Sequence, residues 1–555
     1  MTLNDKATWG LSLTEYRTML GRLFVLASYL AIAALMAAPA AAYTLSAGGS
    51  KFCAIDESVC FEDVSNILHL PDLTGERIEY KGQTWSISWG DANGNLWPDL
   101  YLNHHTERST NNRFPTSHLI YDLGKNPETW EFLELGNGDQ HSALFIDLDM
   151  DGNEEIFELI GGMSGTAAFG DRNSMSVIHK LDRDPVSDSE SVEGAIETGL
   201  AYPGARGRYA LPIVRNGELS LLLINAPRKD GLAGTALFRR TVSGTFVRDE
   251  SVFTTTECTL PGLCKDVEFN IGSYGEAKAF HANDDNLVDL FFYGRGSTNP
   301  GRLFLASVDA EGNHSYRNSG GFIVDSNDIS VSDFNNDGNF ELIYANSNGI
   351  NFVSFNGDNV LGGMIPSEKR IPVGLVTGDL NNDKYLDIVV YYRAANDGPF
   401  NVSVLMNDGS GGFSESEFVD EKNTGDARNV SIADYDLDGA LDLIFSDGRG
   451  DVEEAKAYGG YTLLKGMTKN NWLQVDLVDP QMLRGLGARV TVTTSDGTRM
   501  LRGQYSGVHS EVQDFKRLHF GLGDSTEVTV LVKWADGTET VVDRVKANQI
   551  ISVAQ

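Results

Sequence analysis

The chain has 555 residues, a formal net charge of −34, and a hydrophobic fraction of 41% with 10% aromatics. That composition fits a globular protein and excludes a disordered one. The missing cationic surface excludes nucleic acid and anionic membranes as natural partners.

The amino terminus reads as an export signal. Arg17 and Arg22 precede an apolar run from Leu23 to Met36, and Ala40-Ala41-Ala42 offers a small-residue cleavage site. The run is short for a membrane span, and no later segment is apolar enough to cross one. Residues 1–42 are therefore assigned to the signal and 43–59 to a linker, which predicts a secreted, periplasmic or cell-surface protein with no membrane insertion after cleavage. The four cysteines agree with export. Cys53 with Cys60, and Cys258 with Cys264, are simplest as two local disulfides, four buried thiols being the alternative.

From Asp91 onward one pattern returns: oxygen-bearing residues at positions 1, 3, 5 and 9, then a β-prone apolar run. The first copy is Asp91, Asn93, Asn95 and Asp99, with Leu96 at position 6. The second is Asp147, Asp149, Asp151 and Glu155, with Gly152 at position 6. A third, around Asn216-Gly217, keeps only the turn and the apolar run. The fourth is His281, Asn283, Asp285 and Asp289. The fifth is Asp333, Asn335, Asp337 and Glu341. The sixth is Asp379, Asn381, Asp383 and Asp387, with Lys384 at position 6. The seventh is Asp434, Asp436, Asp438 and Asp442, with Gly439 at position 6.

Position 1 recurs at intervals of 46 to 69 residues, and each interval holds several further strand candidates. Such a period marks a propeller array. The expected fold is all-β: a seven-bladed β-propeller over 60–468, followed by a small β-sandwich over 469–555. The last unit lacks an outer strand after Leu464. Phe61–Ser65 resembles one and is expected to close the ring, since an open array leaves an unpaired edge. The carboxy-terminal segment alternates strands with tight turns such as Ser495-Asp496-Gly497 and Ala535-Asp536-Gly537.

These repeats resemble the FG-GAP/VCBS repeats of integrin α-subunits and of many exported bacterial proteins. Asn470-Asn471-Trp472-Leu473, Gly485-Leu486-Gly487-Ala488-Arg489-Val490, His519-Phe520-Gly521-Leu522-Gly523 and Asn548-Gln549-Ile550 follow the order of the ASPIC/UnbV domain. Together they resemble the cartilage acidic protein family over nearly all of 60–555. The third repeat departs from the family's acidic pattern, and the fourth does so in part.

The family's metal is Ca²⁺, and the residues favour it independently. Alternating side-chain oxygens with a tight turn suit a hard cation, whereas zinc would want His or Cys. The loops at Asp434, Asp147 and Asp333 are the expected strong sites, those at Asp379 and Asp91 weaker, the His281 loop marginal and the third empty. The role expected for the ion is structural. Two rival readings are simple turn formation by Asp and Asn and an EF-hand, whose twelve-residue pattern Asp147–Glu158 matches. The other loops carry Leu102, Tyr344, Val390 and Phe445 at position 12, which opposes the EF-hand.

The strand before each loop should be innermost. Six residues ahead of position 1 stand Trp85, His141, Arg206, Gly275, Asn327, Val373 and Arg428; five ahead stand Ser86, Ser142, Gly207, Glu276, Asp328, Gly374 and Asn429. His104, His105, Asp139, His141, Arg206 and Arg208 could gather at the channel from the first units and perform acid–base chemistry on an anionic or sugar ligand. The plainer expectation is a solvated polar channel. Two functions follow: a calcium-binding adhesion or binding protein for a protein or glycan partner, or a carbohydrate lyase or dehydratase using that cluster.

Overall fold

The structure is a computed structural model. It describes residues 42–45 and most of 51–555. Outside the described residues are 1–41, 46–50 and internal stretches, the longest being 105–115, 161–176, 182–190, 226–233 and 448–460. The signal assignment, and His105, Asp139, Arg206 and Gly275, fall outside them.

Apolar β-prone runs separated by turn residues give a structure built almost wholly of strands. Among the described residues seven sheets share one antiparallel four-stranded plan; in six of them the four strands follow one another in sequence, and in the seventh three do. The innermost strands are Thr84–Gly90, Gln140–Ile146, Gly207–Arg215, Glu276–Phe280, Asp328–Ser332, Pro372–Gly378 and Ala427–Ala433. Each contacts the next, and Ala427–Ala433 contacts Thr84–Gly90. Buried apolar clusters bind the first sheet to the second, join the second, third and fourth, and link the fourth to the fifth, the fifth to the sixth, the sixth to the seventh and the seventh to the first. At that last junction the Tyr461 hydroxyl donates to the carbonyls of Ser86 at 3.1 Å and Asn103 at 2.5 Å. The architecture is all-β and propeller-like.

The seventh sheet draws on both ends of the array. Its outer strand is Cys60–Asp63, paired antiparallel with Tyr461–Met467. Lys51–Cys53 pairs with Cys60–Asp63 in turn, and Cys53–Cys60 is a disulfide. The segment read as linker is thus partly ordered: a two-strand hairpin carries the seam, and Ala42–Leu45 lies parallel to Phe413–Asp420 of the sixth sheet. Cys258 and Cys264 are cross-strand partners in a hairpin that extends the fourth sheet, while their side chains lie outside the described residues. Cys53→Ser is expected to cost about 2 kcal/mol, the low end for a short disulfide loop. Thermal unfolding with and without reductant checks this, and an unchanged midpoint would show that the seam holds without its covalent tie.

The carboxy-terminal part forms two sheets. One orders Leu518–Gly523, Asn471–Val478 and Gln549–Ala554; the other orders Arg499–Gly503, Arg489–Thr494, Glu527–Lys533 and Glu539–Lys546. Their inward faces share one cluster that includes Val475, Val490, Phe520, Val530 and Trp534.

Candidate functional site

Each acidic loop is first a hydrogen-bonded turn. In the seventh, Asp434 Oδ1 accepts from the Asp438 amide at 3.0 Å and Oδ2 from the Gly439 amide at 2.8 Å. Asp442, at position 9, accepts from the amides of Tyr435 at 2.9 Å and Gly466 at 2.7 Å. The same clamp recurs at Asp91 and Asp99, Asp147 and Glu155, Asp333 and Glu341, and Asp379 and Asp387. Positions 1 and 9 therefore shape the loop, whatever else they bind. The turn needs left-handed backbone twice. Position 6 is one place, where Gly439 has φ 87° and Lys384 φ 91°. Position 4 is the other, held by Met150 at φ 65°, Asn336 at 56°, Asn382 at 58° and Leu437 at 58°. The third repeat has instead a two-residue hairpin, Asn216 at φ 52° and Gly217 at 74°, between paired Arg215 and Glu218.

Among the described residues, two loops bring three or more carboxylates together. Asp147, Asp149, Asp151 and Glu155 offer oxygens within 4.8 Å of one another, as do Asp434, Asp436 and Asp442. Burial raises Glu155 to about 8 and Asp434 to about 7, with neighbouring carboxylates adding to both. Such groups need a cation if they are to stay ionised. Asp436 Oδ1 is buried without a hydrogen-bond partner. An orphaned carboxylate oxygen in an all-oxygen cluster fits a hard cation such as Ca²⁺. The EF-hand alternative fails at its last position. Glu158 is buried, bonded to the Tyr101 hydroxyl and 2.8 Å from His179 Nε2, away from the loop.

The remaining loops are arranged differently. In the first, Arg484 Nη2 sits 2.7 Å from Asp91 Oδ2, and the side-chain Nδ2 groups of Asn93 and Asn95 donate to Asp122. In the fifth and sixth, Asn335 and Asn381 turn their amides onto Asp337 and Asp383. In the fourth, His281 Nδ1 is 2.6 Å from the Tyr505 hydroxyl, and burial, aided by Arg489, lowers its pKa to about 3.

The carboxy-terminal part is seated on this ring of loops. Gln474 Nε2 donates to Asp434 Oδ2 at 2.5 Å, and the Trp472 indole lies against Gly439. His519 Nε2 is 2.6 Å from Asn382 Oδ1; burial, with Arg502 nearby, lowers its pKa to about 3, so the neutral ring donates from Nε2. Arg489 Nη2 donates to Asn286 Oδ1 at 3.1 Å. Arg484 and Lys516 both reach the buried Glu154, at 3.2 and 2.6 Å. Burial pushes that carboxyl upward, yet these two cations outweigh it and hold it at about 2. The Asn-Trp, Gly-Leu-Gly-Ala-Arg and His-Phe-Gly-Leu-Gly stations thus supply propeller contacts.

Among the described residues, part of the axial region is occupied by protein. The hairpin containing Val508–His509 and Val512–Gln513 enters it. Gln513 pairs with Ser88 of the first sheet, while its side chain accepts from the Phe145 amide at 2.8 Å in the second. Ser510 Oγ donates to Asp328 Oδ1 at 3.1 Å in the fifth, and Asp514 Oδ1 accepts from Ser431 Oγ and the Ile432 amide in the seventh, both at 2.8 Å. Of the acid–base cluster expected there, His141 and Arg208 do meet. Arg208 Nη1 is 2.5 Å from His141 Nδ1, and Glu511 Oε1 is 3.2 Å from that same nitrogen. Glu511 was invisible to a reading confined to the repeats. Among the described residues the hairpin thus engages inner-strand groups at Ser88, His141, Phe145, Asp328, Ser431 and Ile432, so protein partners stand at places where the sequence suggested water.

The fold and loops define a class. Residues 333–390 match the FG-GAP-like repeat model and residues 480–555 the ASPIC and UnbV model. The chain therefore combines an FG-GAP-like repeat with an ASPIC/UnbV segment. It is similar to cartilage acidic protein 1 of Homo sapiens, 25% identical over 72% of this chain and 60% of that one. It is also similar to cartilage acidic protein 1 of Xenopus tropicalis, 27% identical over 41% of this chain and 36% of the relative. It thus spans between about a third and three fifths of these relatives' length. A solved lectin of Agrocybe aegerita, specific for non-reducing terminal N-acetylglucosamine, aligns with 64% of this chain and 88% of its own at 13% identity and a TM-score of 0.35. Regucalcin of Agrobacterium tumefaciens, a calcium-binding protein, aligns with 59% and 88% at 12% identity and a TM-score of 0.29. Among the described residues no helix is long and apolar enough to cross a membrane.

Proposed function

We propose that this is an exported calcium-binding protein whose propeller-like array and carboxy-terminal part act as one body to bind an extracellular protein or glycan. The carrying observation is the convergence of Asp147, Asp149, Asp151 and Glu155, four carboxylates within 4.8 Å. Calcium would supply divalent charge beside Glu155 and Asp147, where burial and neighbouring carboxylates raise the pKa. Export rests on the sequence of 1–42, and the cartilage in the relatives' name agrees with it. The partner surface lies away from the loop face and the axis, because the carboxy-terminal part holds both. The alternative is a carbohydrate lyase or dehydratase; of the residues named for it His141 and Arg208 meet, with Glu511 beside them.

Titrating chelated protein with calcium, and separately with magnesium, tests the metal. Thermal unfolding is expected to shift upward with calcium, each site adding about 2.7 kcal/mol at a hundredfold excess over its dissociation constant. An unchanged midpoint at millimolar calcium would sink the reading. A panel of glycans and matrix proteins, probed in calcium and in chelator, then addresses the partner.

A further inference from the structure

Lys465 is a cation already standing against the seventh loop. Its Nζ contacts Asp436 Oδ2 and lies 2.9 Å from Asp438 Oδ2. Asp438 Oδ1 accepts from the Ala440 amide at 3.0 Å, so both oxygens of Asp438 are engaged. Asp438 is accordingly missing from the converging set of Asp434, Asp436 and Asp442, although the sequence pattern places it at position 5. The second loop shows the contrast. Lys180 Nζ touches only Asp149, at 2.9 Å, and all four carboxylates still converge. The two loops differ less in their own acids than in what the adjacent strand sets beside them.

We propose that Lys465 sets the cation affinity of the Asp434 loop, acting as a tethered counter-ion that draws Asp438 out of the binding set and must yield it before a divalent ion gains a fourth carboxylate. This rests on the reading of the loop as a calcium site. Lys465 has somewhere to go. Glu62, on the strand that completes the seventh sheet, is its directly paired neighbour in the ladder. Release of Asp438 therefore need not strand a charge. A lysine that compensates the loop in the metal-free state also lets the seam of the array stay folded before calcium arrives. The two loops, expected from sequence to be strong sites alike, separate as a result: the Asp147 loop binds more tightly than the Asp434 loop.

The test uses the full chain and terbium, an oxygen-seeking calcium surrogate, followed by luminescence sensitised through Trp472, whose indole packs on Gly439 of this loop. Calcium competition gives the calcium affinity. Lys465→Gln is expected to bind about tenfold more tightly than the natural protein and to unfold at lower temperature in chelator. Lys465→Arg should stay near the natural affinity, and Lys180→Gln should change this signal little. Unchanged or weaker binding in Lys465→Gln, with clear binding in the natural protein, overturns the role of Lys465 and leaves the calcium reading standing. Luminescence that Asp434→Asn and Asp436→Asn do not reduce overturns the calcium reading of this loop, and the proposal with it.

Discussion

Replacing Arg484 by methionine is expected to lower the unfolding free energy by about 3–5 kcal/mol, the range for removing one partner of a buried ion pair. The Asp91 side chain is 0% exposed and faces the guanidinium at 2.7 Å. Without it, Asp91 keeps only the amides of Asn95 and Leu96, which shape the turn without neutralising the charge. Glu154 would retain Lys516 and the Asp91 amide, so most of the loss falls on Asp91. Methionine preserves much of the apolar stem, so the measurement reports charge more than volume. Urea unfolding in chelator gives the difference, and adding Asp91→Asn should recover most of it. A loss below about 1 kcal/mol would mean that water reaches Asp91 and that the pair behaves like a surface one.

The loops and the pairing order were legible in the sequence because both are local. An oxygen ligand every second residue, a glycine at position 6 and an apolar run afterward fall within twelve residues. The outer strand for the seventh sheet was legible for a different reason: an edge has to be covered, and few segments were free to cover it. What stayed hidden was of two kinds. One is conformational. Position 4 needs left-handed backbone as much as position 6 does, but Met150 and Leu437 occupy it, and neither residue type advertises that geometry. The other is long-range. Gln474 with Asp434, Arg484 with Asp91 and Glu511 with His141 join residues 40, 393 and 370 apart, and no periodicity links them. Half of the axial clue was on the page. Inner strands carrying His141 and Asp328 were too polar for a core, and water seemed the only partner. Ser510, Glu511, Gln513 and Asp514 were the complementary polar run, read as part of a separate domain because strand patterning says nothing about docking. Physically, a buried polar strand calls for hydrogen-bond partners, and a hairpin supplies them with less fluctuation than water does.

Gly521→Ala is expected to cost about 3 kcal/mol, at the upper end of the overpacking range, and to do so only where the carboxy-terminal part meets the loops. A Cβ there would lie 2.2 Å from Asp379 Oδ2 and 2.3 Å from the Asn382 Cα. The second of these is backbone in a clamped loop, so the clash is not relieved by a rotamer change. Gly521 sits within the regular strand Leu518–Gly523, opposite Trp472 in the ladder, where alanine is locally acceptable. The strain therefore goes into lifting the carboxy-terminal part off the sixth and seventh loops. That lift stretches His519 to Asn382, Gly523 to Asn382 and Gln474 to Asp434 together, contacts of 2.6, 2.7 and 2.5 Å. Calorimetry should show a lowered midpoint or two transitions in place of one, and a change within about 0.5 kcal/mol, typical of a neutral surface substitution, would refute tight docking. The axial hairpin gives an independent check, because it belongs to the same part of the chain. If docking is one cooperative contact, Gly521→Ala also draws Glu511 away from His141, a residue only 3% exposed. Its imidazole would then react faster with a histidine-modifying reagent. Unchanged protection of His141 alongside a lowered midpoint would instead mean that hairpin and loop face hold independently.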